Sequence, residues 1–208
     1  MARDGRALNG HLGSGATAKV GPNAIIRVAE ALSHARGPEA VTHVFRAADL
    51  APYLTTLPSE MVDEREVVSL QAALREQLGI GAARPISRDA GLRTGDYLLA
   101  NRIPRPVQRL LKILPARLAS RVLITAIRRN AWTFVGSGVF DGRPGRPTRL
   151  SVTDGPICRG ATAEEPLCDF YAGSFERLFS RLVHPDARVT ETACQSNGAP
   201  ACVFEVRW

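Results

Sequence analysis

The stretch AWTFVGSGVFDGRPGRPTRLSVTDG, residues 131–155, is where the chain changes character. Before it, apolar residues recur at helical spacing. Within it, AWTFVGSGVF reads as a strand rich in aromatic and β-branched residues, DGRPGRP as a turn, and TRLSVTDG as a second strand, together a hairpin. PLCDFYAGSFERLFSRLV then returns to the helical period. ARVTETAC and ACVFEVRW close the chain as two more strands around the turn QSNGAP. The order β-β-α-β-β predicts a four-stranded antiparallel sheet with helices packed on it, an α+β fold class.

Upstream, Pro22 opens a helix carrying Ile25, Ile26, Ala29 and Leu32, and Gly37 stops it. A second helix is expected from Pro38 to about Leu50. After the Pro-punctuated link APYLTTLPSEMVD, the segment EREVVSLQAALREQLG places Val67, Leu70, Leu74 and Leu78 in one stripe. Further helices follow, broken at Pro104–Pro106 and Pro115. Residues 1–21 are Gly-rich and read as a flexible N-terminal segment. Residues 22–208 read as a single domain, helical over 22–130 and sheet-forming over 131–208.

Hydrophobic residues make up 45% of the 208-residue chain and charged residues 23%, the composition of a soluble globular protein. There is no apolar run of membrane-spanning length and no secretory h-region, so the expected location is cytoplasmic. The net charge of +7 points to an anionic partner. Apart from Lys19 and Lys112 the basic residues are all arginine, which a GC-rich genome also encodes readily. The densest run, Arg102 to Arg129, lies on helical-looking sequence. It reads as a solvated helix face, with peripheral contact to an anionic membrane or an acidic ligand as the alternative. No nucleic-acid-binding signature accompanies it, and no nucleic acid is expected as a partner.

Cys158, Cys168, Cys194 and Cys202 all fall in the last quarter of the chain. In a reducing compartment such clustering favours a metal over disulfides. Glu191 and Cys194 stand three apart near a strand end, Cys202 lies across the following turn, and Cys168 is on the first turn of the preceding helix. These four residues can form a closed tetrahedral zinc site, which is structural rather than catalytic. The other reading is two buried cysteines in a hairpin beside a surface glutamate. An iron–sulfur cluster is disfavoured by the glutamate and by the split over a helix and a hairpin. Cys158 does not fit the set and is expected to be an ordinary cysteine.

Cys168, Glu191-x-x-Cys194 and Cys202 resemble the zinc motif of the 4-vinyl reductase domain family. GPNAIIRVAEAL, MVDEREVVSLQAALREQLG, RTGDYLLANRIP, AWTFVGSGVF, CDFYAGSFERLF and ETAC resemble its bacteriochlorophyll-pathway branch, so the likeness runs from about Gly21 to Trp208. The resemblance implies that the four motif residues hold a structural zinc. It also implies a fold shared with vesicle-tethering and nitric-oxide-sensing ligand-binding domains, often dimeric. The implied function lies at or near 8-vinyl (4-vinyl) reduction of divinyl protochlorophyllide-type intermediates in bacteriochlorophyll biosynthesis.

Vinyl reduction needs an electron source, normally a nicotinamide, a flavin or an iron–sulfur cluster. GSGATA, residues 13–18, has a glycine spacing close to a dinucleotide fingerprint but no preceding strand, and GSGVFDG, residues 136–142, lacks that spacing. The histidines His11, His34, His43 and His184 are scattered, and no catalytic residue is expected. Read as one strand, the segment puts Trp132, Phe134 and Phe140 on one face, with Phe170, Tyr171 and Phe175 on the adjoining helix. They are either plain core or the apolar wall of a tetrapyrrole site, with Arg128 and Arg129 placed for a propionate and His43 as a candidate axial ligand to magnesium. The favoured reading is a protein that binds and presents a magnesium-porphyrin or chlorophyllide-type pigment. The alternatives are the divinyl reductase itself, using an external reductant, and a scaffold for pathway enzymes. A homodimer and contact with bacteriochlorophyll-pathway enzymes or the photosynthetic membrane are the further partners to look for.

Overall fold

The protein is described over residues 17–208 by a computed structural model. Residues 1–16, with most of the GSGATA motif, lie outside the described residues. A two-residue strand β1 (Lys19–Val20) pairs antiparallel with β2 (Val62–Asp63), and Gly21 N–H donates to Thr133 O at 2.7 Å. The end of the expected flexible segment is therefore anchored.

Helix α1 (Asn23–Arg36) ends where Gly37, at φ +85°, returns its N–H to Ser33 O, and Pro38 at once opens α2 (Pro38–Ala47). Asp63 caps α3 (Glu64–Leu78) by accepting from Arg65 N–H, satisfying one of the donors orphaned at a helix start. Then come α4 (Ile80–Asn101), α5 (Arg105–Ile113) and α6 (Ala116–Arg129), the last two separated at Pro115. No helix among the described residues is long and apolar enough to cross a membrane.

The expected strand AWTFVGSGVF is a correction. Trp132–Val135 form a single helical turn, α7, and only Val139–Arg143 form strand β3. The cause is tertiary. Glu64, buried at the start of α3, accepts from Ser137 N–H at 2.8 Å and from Ser137 Oγ–H at 2.7 Å, and pairs with Arg159 at 2.7 Å. Gly136 turns past this carboxylate at φ +60°, where an added Cβ would lie 2.1 Å from Oε2. The glycine and its hydrogen bonds outweigh local strand propensity.

Strand β4 (Thr148–Thr153) pairs with β3. Helix α8 (Asp169–Leu182), β5 (Arg188–Ala193) and β6 (Cys202–Arg207) follow, giving an antiparallel sheet in the order β3-β4-β6-β5. Phe140, Leu150, Val152, Phe204, Val206 and Val189 are buried, while Arg149 and Glu205 pair on the open face. Alternate residues thus line the covered side of the sheet. Helix α8 packs on that side and α4 packs on α8. The α+β class and four-stranded antiparallel sheet expected from the sequence are the observed ones.

The Glu64 carboxyl carries a testable pH dependence. Burial works against its charge, but the Arg159 guanidinium and the Ser137 hydrogen bonds more than offset this and hold it below the usual carboxylate range. Its stabilisation is therefore complete above the ordinary glutamate value of about 4.3 and lost as pH falls through the folded value. Glu64→Gln is expected to cost about 1–2 kcal/mol at neutral pH, a fall of about 2–8 °C in Tm. The gap should narrow in acid. An equal gap in thermal melts at both pH values would remove the ionic account.

Candidate metal centre

Four chain segments converge beside the β5–β6 hairpin. Cys194 follows β5, whose register on β6 shifts between Glu191 and Ala193, a bulge that redirects the chain just before the cysteine. A 3-10 turn, Gln195–Asn197, and Gly198 at φ +85° carry the chain round towards Cys202, the first residue of β6. Cys168 is the residue before α8, and Cys158 lies in the loop after β4. All four are buried and none is in a disulfide.

Their sulfurs lie within 4.8 Å of one another. Cys158 Sγ is 3.4 Å from Cys202 Sγ, Cys168 Sγ is 3.4 Å from Cys202 Sγ and 3.9 Å from Cys194 Sγ, and Cys194 Sγ is 3.6 Å from Cys202 Sγ. Four thiolates bound tetrahedrally at a zinc–sulfur distance of about 2.3 Å would sit about 3.8 Å apart. The four measured separations bracket that edge, so the donor set fits a four-coordinate metal.

The expected ligand set changes in one member. Cys158, expected to stand apart, is in the cluster. The loop after β4 is folded back by Arg75, which donates to Ile157 O at 3.0 Å, and by Arg159 on Glu64. Ala163 N–H adds a bond to Ser196 O at 2.9 Å. Glu191 falls outside the group of four sulfurs. Its Oε2 accepts from Cys168 N–H at 2.8 Å, and its Oε1 is buried without a hydrogen-bond partner. Burial pushes this carboxyl up to about 9, with the neighbouring Cys194 adding to the rise. Glu191 is thus poised at the edge of the centre, holding the backbone of one ligand residue.

Four thiolates around a divalent ion carry a formal charge of −2. Arg188 and Arg207, the sequence candidates to balance it, are engaged elsewhere, with Ala187 O and Glu205. Arg75 is the cation at the cluster. Burial pulls its guanidinium below the usual value while Cys158, Cys168 and Cys194 pull the other way, and among the described residues it has no carboxylate within ion-pair distance. Nothing in the sequence signals this role, since Arg75 merely flanks the apolar stripe of α3.

The expected tetrapyrrole wall is not assembled as one surface. Phe134 packs edge-on against Phe140, Tyr171 and Phe175 at 5.8–6.1 Å between ring centroids, and Phe175 meets Phe204 at 5.4 Å. Phe170 joins through Tyr171, whose hydroxyl donates to Phe134 O at 2.9 Å. These rings fill the layer between the sheet and α8. Trp132 stands outside them, 60% exposed, because α7 is helical and residues two apart do not share a face. Arg128 is bonded to Asp141 Oδ1 at 2.7 Å and to Gly142 O at 2.9 Å, whereas Arg129 is exposed. His43 Nε2 lies 2.6 Å from Gln77 Oε1, on the surface between α2 and α3.

Residues 148–208, which contain Cys158, Cys168, Glu191, Cys194 and Cys202, match the model of the 4-vinyl reductase domain. The chain is 46% identical over 188 residues to the bacteriochlorophyll synthase 23 kDa chain of Cereibacter sphaeroides, covering 90% of each protein. It is 38% identical to the protein of that name from Rhodobacter capsulatus, over 89% of this chain and 85% of that one. Among solved structures, a vinyl-4-reductase family protein from Methanocaldococcus jannaschii overlaps at 18% identity and TM-score 0.36, over 67% of this chain and 88% of that one. A structure described as modulating heme redox potential through protein-induced porphyrin distortion overlaps at 13% identity and TM-score 0.46, over 88% and 96%. Both structural overlaps are too low to carry an argument. The sequence matches suffice: the chain belongs to the 4-vinyl reductase domain family, in the group of the bacteriochlorophyll synthase 23 kDa chain.

Proposed function

We propose that the chain serves bacteriochlorophyll biosynthesis at or near the 8-vinyl (4-vinyl) reduction step, binding and presenting a divinyl tetrapyrrole rather than reducing it unaided. The observation that carries this reading is the 46% identity over 90% of the chain to a bacteriochlorophyll synthase subunit. The four-thiol centre is assigned as a closed structural zinc site of Cys158, Cys168, Cys194 and Cys202. Zinc there would cross-link the loop after β4, the start of α8 and both strands of the β5–β6 hairpin.

Of the residues proposed for the pigment, Trp132 and Arg129 have the most surface to offer. An indole face beside a free guanidinium suits a flat macrocycle with a carboxylate arm. Titrating a divinyl chlorophyllide-type pigment into the protein should quench tryptophan emission, with Trp208 as background. Trp132→Ala is expected to weaken binding by about 1–3 kcal/mol, about 5- to 150-fold. Equal affinity would remove Trp132 from the site. The same preparation given NADPH should yield no monovinyl product. Turnover proportional to protein would promote the reductase reading, and no pigment binding at all would promote the scaffold.

A further inference from the structure

Helices α5 and α6 form the most one-sided surface of the molecule. Between Arg102 and Arg129 there are eight basic residues and no aspartate or glutamate, which exceeds the net +7 of the whole chain. The rest of the protein is therefore close to neutral. Arg128 is neutralised by Asp141 at 2.7 Å, and the other seven make no ion pair among the described residues. The same two helices leave large apolar side chains in water. On α5, Leu110 is 52% and Ile113 79% exposed, and on α6 Leu118 and Val122 are each 45% exposed. The one buried residue of α5 is Leu111.

The pattern on α5 is ordered. At about 100° per residue, Val107, Leu110 and Ile113 fall within an arc of about 120°. Arg105, Arg109 and Lys112 occupy an adjoining arc of about 60°. The apolar and basic arcs lie side by side, both away from the core. A merely solvated face would have no reason to expose isoleucine and leucine. A nucleic-acid surface would use the cations but not the apolar arc. An interfacial helix uses both, sinking apolar side chains below the headgroups while long basic ones reach phosphate.

We propose that the α5–α6 hairpin docks the protein on an anionic lipid bilayer, with Leu110 and Ile113 inserted and the arginines and Lys112 at the headgroups. Charge complementarity selects the partner, because seven unpaired cations with no intervening acid match a surface of phosphodiesters. Each Lys or Arg held near such a surface contributes about fivefold to partition.

The test is flotation of the full chain with phosphatidylcholine vesicles, with and without phosphatidylglycerol. Wild type should float with the anionic vesicles and stay behind with the neutral ones. Leu110→Glu/Ile113→Glu and Arg109→Gln/Lys112→Gln/Arg117→Gln should each lower partition at least about tenfold. Both should keep the wild-type Tm, since every changed side chain is exposed. Equal flotation with neutral vesicles, no flotation, or unchanged partition in either variant would overturn the proposal. So would binding to duplex DNA that is indifferent to Leu110→Glu/Ile113→Glu and displaces the vesicles.

Discussion

Cys194→Ala is expected to leave little soluble protein, and the wild type to carry one zinc per chain. Cys194 sits at the junction of β5 with the turn to β6, within 4 Å of the sulfurs of both Cys168 and Cys202. Structural zinc in small peptides is worth about 10–16 kcal/mol apparent at neutral pH. A domain with its own core depends on the metal less, but its whole stability is of order 5–15 kcal/mol. Losing even a third of the metal's contribution is enough to unfold much of the chain. Two milder variants identify the fourth ligand. With four sulfurs in the shell, Cys158→Ser should lose metal and Glu191→Gln should keep it. With Glu191 in the shell, the order reverses. Metal per chain, and the thiolate charge-transfer intensity of the cobalt-substituted protein, read this directly. Absence of metal from freshly purified protein, or a Cys194→Ala variant that melts with the wild type, would defeat the assignment.

The order of elements is legible in the sequence because each boundary is set by local chemistry. Gly37 and Gly79 take left-handed φ at helix ends, Pro115 divides α5 from α6, and Gly198 turns the last hairpin. What is not legible depends on partners distant in sequence. Trp132–Val135 has strand-forming residues, yet Glu64, more than seventy positions upstream, binds the loop after it and makes the segment helical. That one change of period moves Trp132 from the aromatic core to the surface and dissolves the six-residue wall read from alternate positions. Cys158 escapes a reading by spacing for a related reason. Ten residues separate it from Cys168 along the chain, but Arg75 and Arg159 fold the loop so that the distance along the chain no longer measures the distance in space. The Cys168, Glu191, Cys194 and Cys202 spacing does point to the right place, because a hairpin and the helix before it are close by local geometry alone.

Gly91→Ala is expected to cost about 3 kcal/mol, the upper part of the overpacking range, lowering Tm by about 6–12 °C. Helices α4 and α8 meet through glycine. A Cβ at Gly91 would lie 2.1 Å from Phe170 O and 3.0 Å from Ser174 N, and one at Gly173 would lie 2.3 Å from Arg88 O. These neighbours are backbone atoms and cannot swing aside as a side-chain end would. The contact is also fastened, with Ser174 Oγ–H donating to Gly91 O at 3.1 Å and Arg88 paired with Glu176 at 2.7 Å. Making room means lifting α8, which carries Phe170, Tyr171 and Phe175 into the core and follows directly from Cys168. Gly81→Ala is the control. It is the same substitution in the same helix, at an exposed position where an added Cβ meets nothing within 4 Å. Helix propensity alone then operates, and a gain of about 0.5–1 kcal/mol is expected. Opposite signs in the two melts locate the effect in the α4–α8 contact. If Gly91→Ala melted with the wild type, the helices would have to be further apart than this packing requires.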